Sequence, residues 1–422
     1  MKKYIAILLS LSICATLTGC AKSTDMQEKT FYAMDTFMDF TIYGDAALLD
    51  DAEKLISTLE DTLSVTKSTS EIALINQNGY GTVTGYANDL MTKALNMCHR
   101  TDGALDISIY PIVRSWGFTT GRYQIPDDNT ISNLLSLVDY TRIQYNSSSG
   151  DVVLPAGMEI DLGSVAKGYA GQKVADLLKK EGITSAFLNL GGNVQTIGNK
   201  PDGSPWQVAI KNPVTTKPMM VVSVSDQSVV TSGGYERYFE QDGKWYWHIM
   251  DPTTGRPADS HLLSVTIIGD DGMICDGLST SLFIMGLEKS AELWMQSDDF
   301  EAVFVTDTEE VYITDGLRER FALTEEYNLE QDAIRYRLKE CKVPKIQALI
   351  SMYNDVQERM HNAAESDPEA TWNENAENTA LLAEYALDFA ILAADRALLL
   401  SLKAIQEQKE ASKIELQQNN LV

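Results

Sequence analysis

Glycine recurs through the first three hundred residues of this 422-residue chain and then disappears: beyond about residue 328 long stretches rich in Ala, Leu, Glu and Gln take over. Glycine supplies the tight turns and left-handed backbone that strand-rich folds need, so its loss divides the chain. Residues 30–327 are expected to form one mixed α+β domain, and residues 328–422 an all-helical extension. Inside the extension, Pro368 in "ESDPEATWNENAEN" splits the helical run. Glu384, Asp388 and Asp395 then share one narrow stripe of an otherwise apolar helix, which needs a cover. The first tail helix, the main domain and a second copy of the chain are all open as that cover.

Periodicity locates several elements of the main domain. "FMDFTIYG" alternates as a strand, whereas "DDAEKLISTLEDTL" and "NDLMTKALNMCHRT" carry helical spacing. "VADLLKKEGITSAFLNLGGN" runs helix, turn, strand and then a glycine pair, itself readable as a tight turn. Asp242-Gly243 inside "YERYFEQDGKWYWHIM" predicts a hairpin, because that pair favours positive φ. Strands at 262–268 and 301–305 are expected to flank a helix that Asp276 opens.

The first twenty residues, "MKKYIAILLSLSICATLTGC", place two lysines before an apolar run and small residues before a cysteine, the pattern of an export signal. The ending Leu17-Thr18-Gly19-Cys20 resembles the lipobox of bacterial lipoproteins, which implies a leader over residues 1–19, lipidation at Cys20 and a polar tether over 20–29. The candidate span at 379–402 carries Glu384, Asp388, Asp395 and Arg396, each costing about 2.5 to 3.5 kcal/mol near a bilayer centre. The expected membrane link is therefore the lipid anchor, facing the extracytoplasmic side. A formal net charge of −26, made more negative by loss of Lys2 and Lys3, argues against nucleic acid as a partner. Cys98, Cys275 and Cys341 remain, too few and too scattered for a disulfide framework, and are expected to be buried small side chains.

Two clusters can carry chemistry. In "ICDGLSTSLF", Asp276, Ser279 and Thr280 share one helix face; Asp276 can be a helix cap or one ligand of a hard cation. In "DLGSVAKGYA", Asp161 ends a strand-like "MEIDLG" and Ser164 and Lys167 follow where a helix begins, a setting open both to anion binding and to simple capping. His248, in "WHIMDPTTGRP", is a candidate proton acceptor with Asp251 in support; as an ordinary imidazole it would titrate between about pH 6 and 8.

Seven stretches together resemble one family, the ApbE-type FAD:protein FMN transferases: "AMDTFM", "GALDISIYPIVRSWGF", "DLGSVAKGYA", "LNLGGNV", "TSGGYERYF", "HIMDPTTGRP" and "DGLSTSLFIMG". The resemblance implies FAD as substrate, with Met34, Ala104, Leu105, Asp106, Asp161, Lys167 and Met250 lining its site. It also implies Mg2+ held by Asp276, Thr280 and an oxygen of Ser164, most simply its main-chain carbonyl. The implied reaction moves FMN from FAD to a Thr or Ser hydroxyl of an exported acceptor protein and releases AMP, with His248, Asp251 and Lys167 as catalytic groups. An FAD diphosphatase and a non-catalytic flavin-binding lipoprotein are the alternatives. The chain departs from the family pattern at Thr66, where an aromatic is expected, and at Gly234, where an acidic or amide side chain is common.

Overall fold

The computed structural model describes residues 25–324. The leader, Cys20, Cys341 and the expected helical extension lie outside the described residues. The chain separates into two units, Met1–Thr324 and Glu325–Val422, and the described residues belong to the first.

Eight strands form one antiparallel sheet whose spatial order follows the chain: β1 (Met26–Ala33), β2 (Thr36–Tyr43), β3 (Ala186–Leu190), β4 (Asn193–Ile197), β5 (Ser228–Gly233), β6 (Leu262–Gly269), β7 (Phe300–Thr306) and β8 (Val311–Ile313). The central strands β4 and β6 are buried almost throughout, as expected of strands covered on both faces. Four long helices position the site: α1 (Ala47–Leu63), α2 (Gly85–Arg100), α3 (Gly163–Lys180) and α4 (Gly272–Met285). In α1, Leu49, Ala52, Ile56, Leu59 and Leu63 are buried at alternating spacings of three and four, so one stripe meets the core. Helices α1, α3 and α4 form a layer on the sheet. From β2 and β3, Tyr43 and Phe187 meet Trp206 of a small three-stranded sheet.

The hairpin centred on Asp242-Gly243 forms as expected, with φ of 55° and 73° at the two turn residues. Cys98 and Cys275 are free and buried. No described helix is long and apolar enough to cross a membrane.

Three expectations are corrected. The polar tether does not reach residue 29, because β1 already begins at Met26. It is the edge strand of the sheet and keeps one face in solvent, so Gln27, Glu28 and Lys29 are compatible with a strand; Lys29 pairs with Asp50 and Glu53 on α1. "MEIDLG" is not a strand. The backbone of Ile160 bonds instead to the Asn76 side-chain amide at 2.7 and 2.8 Å, and the Asp161 N–H to the Ile107 carbonyl at 2.7 Å. Asp276 does not open its helix. Asp271 does, accepting the N–H groups of Met273 and Ile274 at 2.9 and 3.1 Å, which leaves Asp276 one turn inside α4.

Candidate functional site

Helices α3 and α4 cross where glycine faces glycine. A Cβ on Gly168 would lie 2.0 Å from the Gly272 carbonyl oxygen and 2.6 Å from the Asp276 Cβ, and one on Gly272 would lie 2.6 Å from the Gly168 oxygen. Only the missing side chains let the backbones approach this closely. The approach brings the Gly168 N–H within 2.8 Å of Asp276 Oδ2, which accepts it. In an uninterrupted α-helix that N–H would serve the Ser164 carbonyl. Asp276 therefore competes for the donor, and the Ser164 oxygen keeps acceptor capacity at the start of α3.

Asp276 is 6% exposed. Burial raises its carboxyl pKa, opposed by the Lys167 charge, the Gly168 N–H and the nearby Asn193 amide. Thr280, one turn later, is half-buried and its hydroxyl lies 3.3 Å from Ser232 Oγ. Ser279 faces inward, donating to the Asp276 carbonyl at 2.9 Å and lying 2.8 Å from the Ser232 hydroxyl. Among the described residues no group of three or more His, Cys, Asp and Glu side chains can hold a metal ion. A cation here would rest on the Asp276 carboxylate, the Thr280 hydroxyl and the Ser164 carbonyl, completed by substrate or water oxygens. That hard, incomplete oxygen set suits Mg2+, which binds few protein ligands and favours phosphates.

The remaining residues singled out from the sequence lie on other segments of the domain. Asp161 follows the segment containing Ala104, Leu105 and Asp106, to which its N–H is tied through Ile107. Burial raises the Asp161 carboxyl pKa, countered by the Gly163 N–H and by the Arg237 charge. Asp106 is committed to the fold: it accepts the Ser108 N–H and hydroxyl at 2.8 and 2.6 Å and the Tyr140 N–H at 3.1 Å. Burial raises its pKa too. Leu105 belongs to the main core and Met250 to a second apolar cluster with Trp116, Phe118 and Phe239. Met34 and Asp35 form the β1–β2 turn with φ of 49° and 60°. Thr36, just after it, packs where a Cβ on Gly191 would sit, 2.0 Å from Thr36 Oγ1. The β3–β4 turn is thereby brought alongside the Met34 turn.

His248 is held from both its backbone and its ring by one carbonyl. Arg237 O accepts the His248 N–H at 3.1 Å and lies 3.2 Å from Nδ1. A carbonyl can only accept, so this contact requires the proton on Nδ1 and leaves the Nε2 lone pair free. Burial pulls the imidazole pKa down to about 4, and the Arg237 and Lys167 charges push the same way. Titration between pH 6 and 8 is thus corrected: the ring is neutral across that range. Asp251 does not support it. Its Oδ1 accepts the Thr253 N–H and hydroxyl, both at 2.7 Å, closing its own turn.

Two residues without a signal of their own in the sequence complete the arrangement. Arg237, inside "TSGGYERYF", donates to the Phe118 carbonyl and sets the charge around Asp161 and His248. An arginine set among aromatics is the only clue the sequence offers to it. Asn193 stands beside Asp276 only because β4 and α4 meet. At the departures from the family pattern, Thr66 lies in the turn after α1, 3.0 Å from Ser64 Oγ, and Gly234 lies under the Trp247 ring.

The described residues thus form a mixed helix-and-sheet domain with a buried carboxylate where two helices cross at facing glycines. The ApbE family model matches residues 34–304. A Klebsiella pneumoniae protein named FAD:protein FMN transferase is 35% identical over 284 residues, covering 66% of this chain and 88% of its own length. Among solved structures, the ApbE protein of Thermotoga maritima superposes with a TM-score of 0.67 at 26% identity, covering 70% of this chain and 99% of that one. The flavin transferase ApbE of Vibrio cholerae gives 0.64 at the same identity and the same coverage of both chains. The chain belongs to the ApbE family.

Proposed function

We propose that this protein is a flavin transferase that moves FMN from FAD to a Thr or Ser hydroxyl of an exported acceptor protein in a Mg2+-dependent reaction. The observation that carries this reading is the Asp276 carboxylate, buried at the α3–α4 crossing and held by the Gly168 N–H. Burying a carboxylate is costly unless something cationic offsets it. The names of the relatives say what the cargo is.

In the reaction, the acceptor hydroxyl oxygen forms a bond to the phosphorus that carries riboflavin, and the bond from that phosphorus to the bridging diphosphate oxygen breaks. AMP leaves with the electron pair. Lys167, whose charge reaches both Asp276 and His248, offsets negative charge on the diphosphate. His248 Nε2 accepts the hydroxyl proton, its orientation fixed by the Arg237 carbonyl. At Asp161, where burial raises the carboxyl pKa, the Gly163 N–H and the Arg237 charge favour the charged form. Bound Mg2+ would supply charge neutralisation at the diphosphate. Phosphoryl transfer of this kind depends mainly on position and charge, which the pocket can provide without a covalent protein intermediate.

Residues 1–19 act in this proposal as a lipoprotein leader, and Cys20 as the lipid attachment that keeps residues 30–327 beside other exported proteins. Residues 328–422, expected from the sequence to be helical, have no assigned part in the chemistry.

The test is incubation with FAD, Mg2+ and co-expressed exported proteins, followed by mass spectrometry. An FMN adduct on a Thr or Ser, with one AMP per adduct, is expected. Free FMN without adduct would instead make the protein a diphosphatase, and FAD binding without AMP would make it a flavin carrier.

A further inference from the structure

Asn193 is the first residue of β4 and follows the Gly191-Gly192 turn, whose φ values of 66° and 100° are open to glycine and strained for other residues. The turn is fixed on one side by Thr36 and on the other by Asn189, whose side-chain oxygen accepts the Gly192 N–H at 2.9 Å. Asn193 is consequently placed with little freedom, and it is 5% exposed.

Its Nδ2 is the only buried side-chain nitrogen among the described residues that lacks a hydrogen-bond partner. Buried amide nitrogens are normally paired, because an unpaired one loses its hydration without compensation. The amide nevertheless lies close enough to the Asp276 carboxylate to favour its charged form. Asn193 also lines a small cavity together with Lys167, Gly168, Gln195, Ser228 and Gly272. In that cavity Gln195 is engaged, accepting from the Ser228 hydroxyl and donating to the Thr196 carbonyl at 3.2 Å. Asn193 keeps an unused donor there, beside the buried Asp276 carboxylate.

We propose that Asn193 is a positioning residue for cation binding at Asp276: its Nδ2 donates to the carboxylate and fixes the plane of that group. The Gly168 N–H anchors one carboxylate oxygen from α3. A second donor from β4 removes the remaining rotation about the Cβ–Cγ bond, so one oxygen stays turned toward protein donors while the other stays available. A carboxylate held this way binds a cation without first losing side-chain freedom. The orphaned donor and the incomplete oxygen set are then two halves of one device.

The inference rests on the proposed metal site but not on the identity of the group transferred, and its test separates the two. Mn2+ binding to the full-length protein is followed by electron paramagnetic resonance, with and without ADP as a diphosphate probe, in wild type, Asn193→Leu and Asp276→Asn. Asn193→Leu keeps the volume and removes the donor, and Asn193→Ala repeats the test if the leucine variant does not fold. Expected is a loss of Mn2+ affinity of about tenfold or more, the scale of one hydrogen bond to a charged group. A merely structural asparagine would lower the melting temperature and leave Mn2+ affinity alone, and that outcome overturns the inference. So does unchanged affinity in Asn193→Leu while Asp276→Asn abolishes binding. If wild type binds Mn2+ and depends on Asn193 but never transfers flavin, the positioning role stands and the functional reading fails. No Mn2+ binding by wild type sinks both.

Discussion

The Gly168 N–H donates to Asp276 Oδ2 at 2.8 Å, joining two helices whose contact residues are more than a hundred positions apart. The bond exists because neither Gly168 nor Gly272 has a side chain to hold the helices off. Gly168→Ala would place a methyl group 2.0 Å from the Gly272 carbonyl oxygen, and backbone on both sides cannot yield as a flexible side chain can. The expected cost is about 1 to 3 kcal/mol of stability, accompanied by loss of flavin transfer as Asp276 moves away from α3. Gly171→Ala, whose nearest neighbour is the Leu190 Cδ1 at 3.3 Å, is the control and should change either quantity far less. Thermal denaturation and an adduct assay on the same preparations check both.

Asp276→Asn separates function from stability. The amide is close to isosteric and can still accept the Gly168 N–H, but it carries no charge to bury. Without metal the variant should melt no lower than wild type, since burial disfavours the charged form of Asp276. With Mg2+, transfer should fall by at least about a hundredfold, the scale on which one electrostatic stabiliser acts. Calorimetry in a chelator and single-turnover transfer in Mg2+ test the two arms. A lower metal-free melting temperature would show that the carboxylate is an anchor for α3 and not a cation ligand.

His248 gives a pH signature with a definite sign. Its folded pKa, about 4, is below the ordinary histidine value, so the neutral form, which can accept a proton, persists well into acid. The rate of transfer at limiting FAD should stay flat from pH 8 down through 6 and fall only as the ring gains a proton nearer pH 4. The same ring favours the folded state above pH 6.5; that contribution declines as pH falls from 6.5 toward 4, because the unfolded chain takes up the proton first. His248→Gln should remove the acid limb and slow transfer by about a hundredfold or more. An inflection at pH 6 to 7 that vanishes in the variant would mean the imidazole is exposed to water in the working enzyme.

Where one period dominates, the sequence is readable: the buried stripe of α1, the alternating β2 and the Asp-Gly hairpin all stand where their patterns put them. The pattern misleads where partners decide the outcome. Asp276 resembles a cap because it precedes an apolar run, yet Asp271 lies five residues earlier and takes the free N–H groups. "MEIDLG" has strand character but finds a side-chain amide and one loop carbonyl in place of a neighbouring strand. In the candidate site, Asn193 lies inside the motif "LNLGGNV", yet nothing in that stretch pairs it with Asp276, because their proximity comes from the tertiary fold. Nearness along the chain points Asp251 to His248, but its own turn claims it first.

Gly234 carries the last prediction. The family resemblance leads one to expect an acidic or amide residue at this position, and here a Cβ would lie 3.0 Å from Cε3 and 3.1 Å from Cδ2 of the Trp247 ring. The ring has little room to give. Its Nε1 donates to the Ala258 carbonyl at 3.1 Å, and its edge meets Phe283 of α4 with ring centres 6.2 Å apart. Trp247 thus occupies space beside α4 that a larger residue at 234 would need, and the two positions are coupled through contact. Gly234→Asp in the wild-type background should cost about 1 to 3 kcal/mol by overpacking. Trp247→Leu should also destabilise, by loss of buried ring surface. In the double variant the aspartate gains room, so the combined cost should be less than the sum by about 0.5 to 3 kcal/mol, the range for residues in contact. Urea denaturation of the four proteins measures that difference. Strict additivity would mean that the indole moves aside freely and that the absent side chain at 234 has another cause.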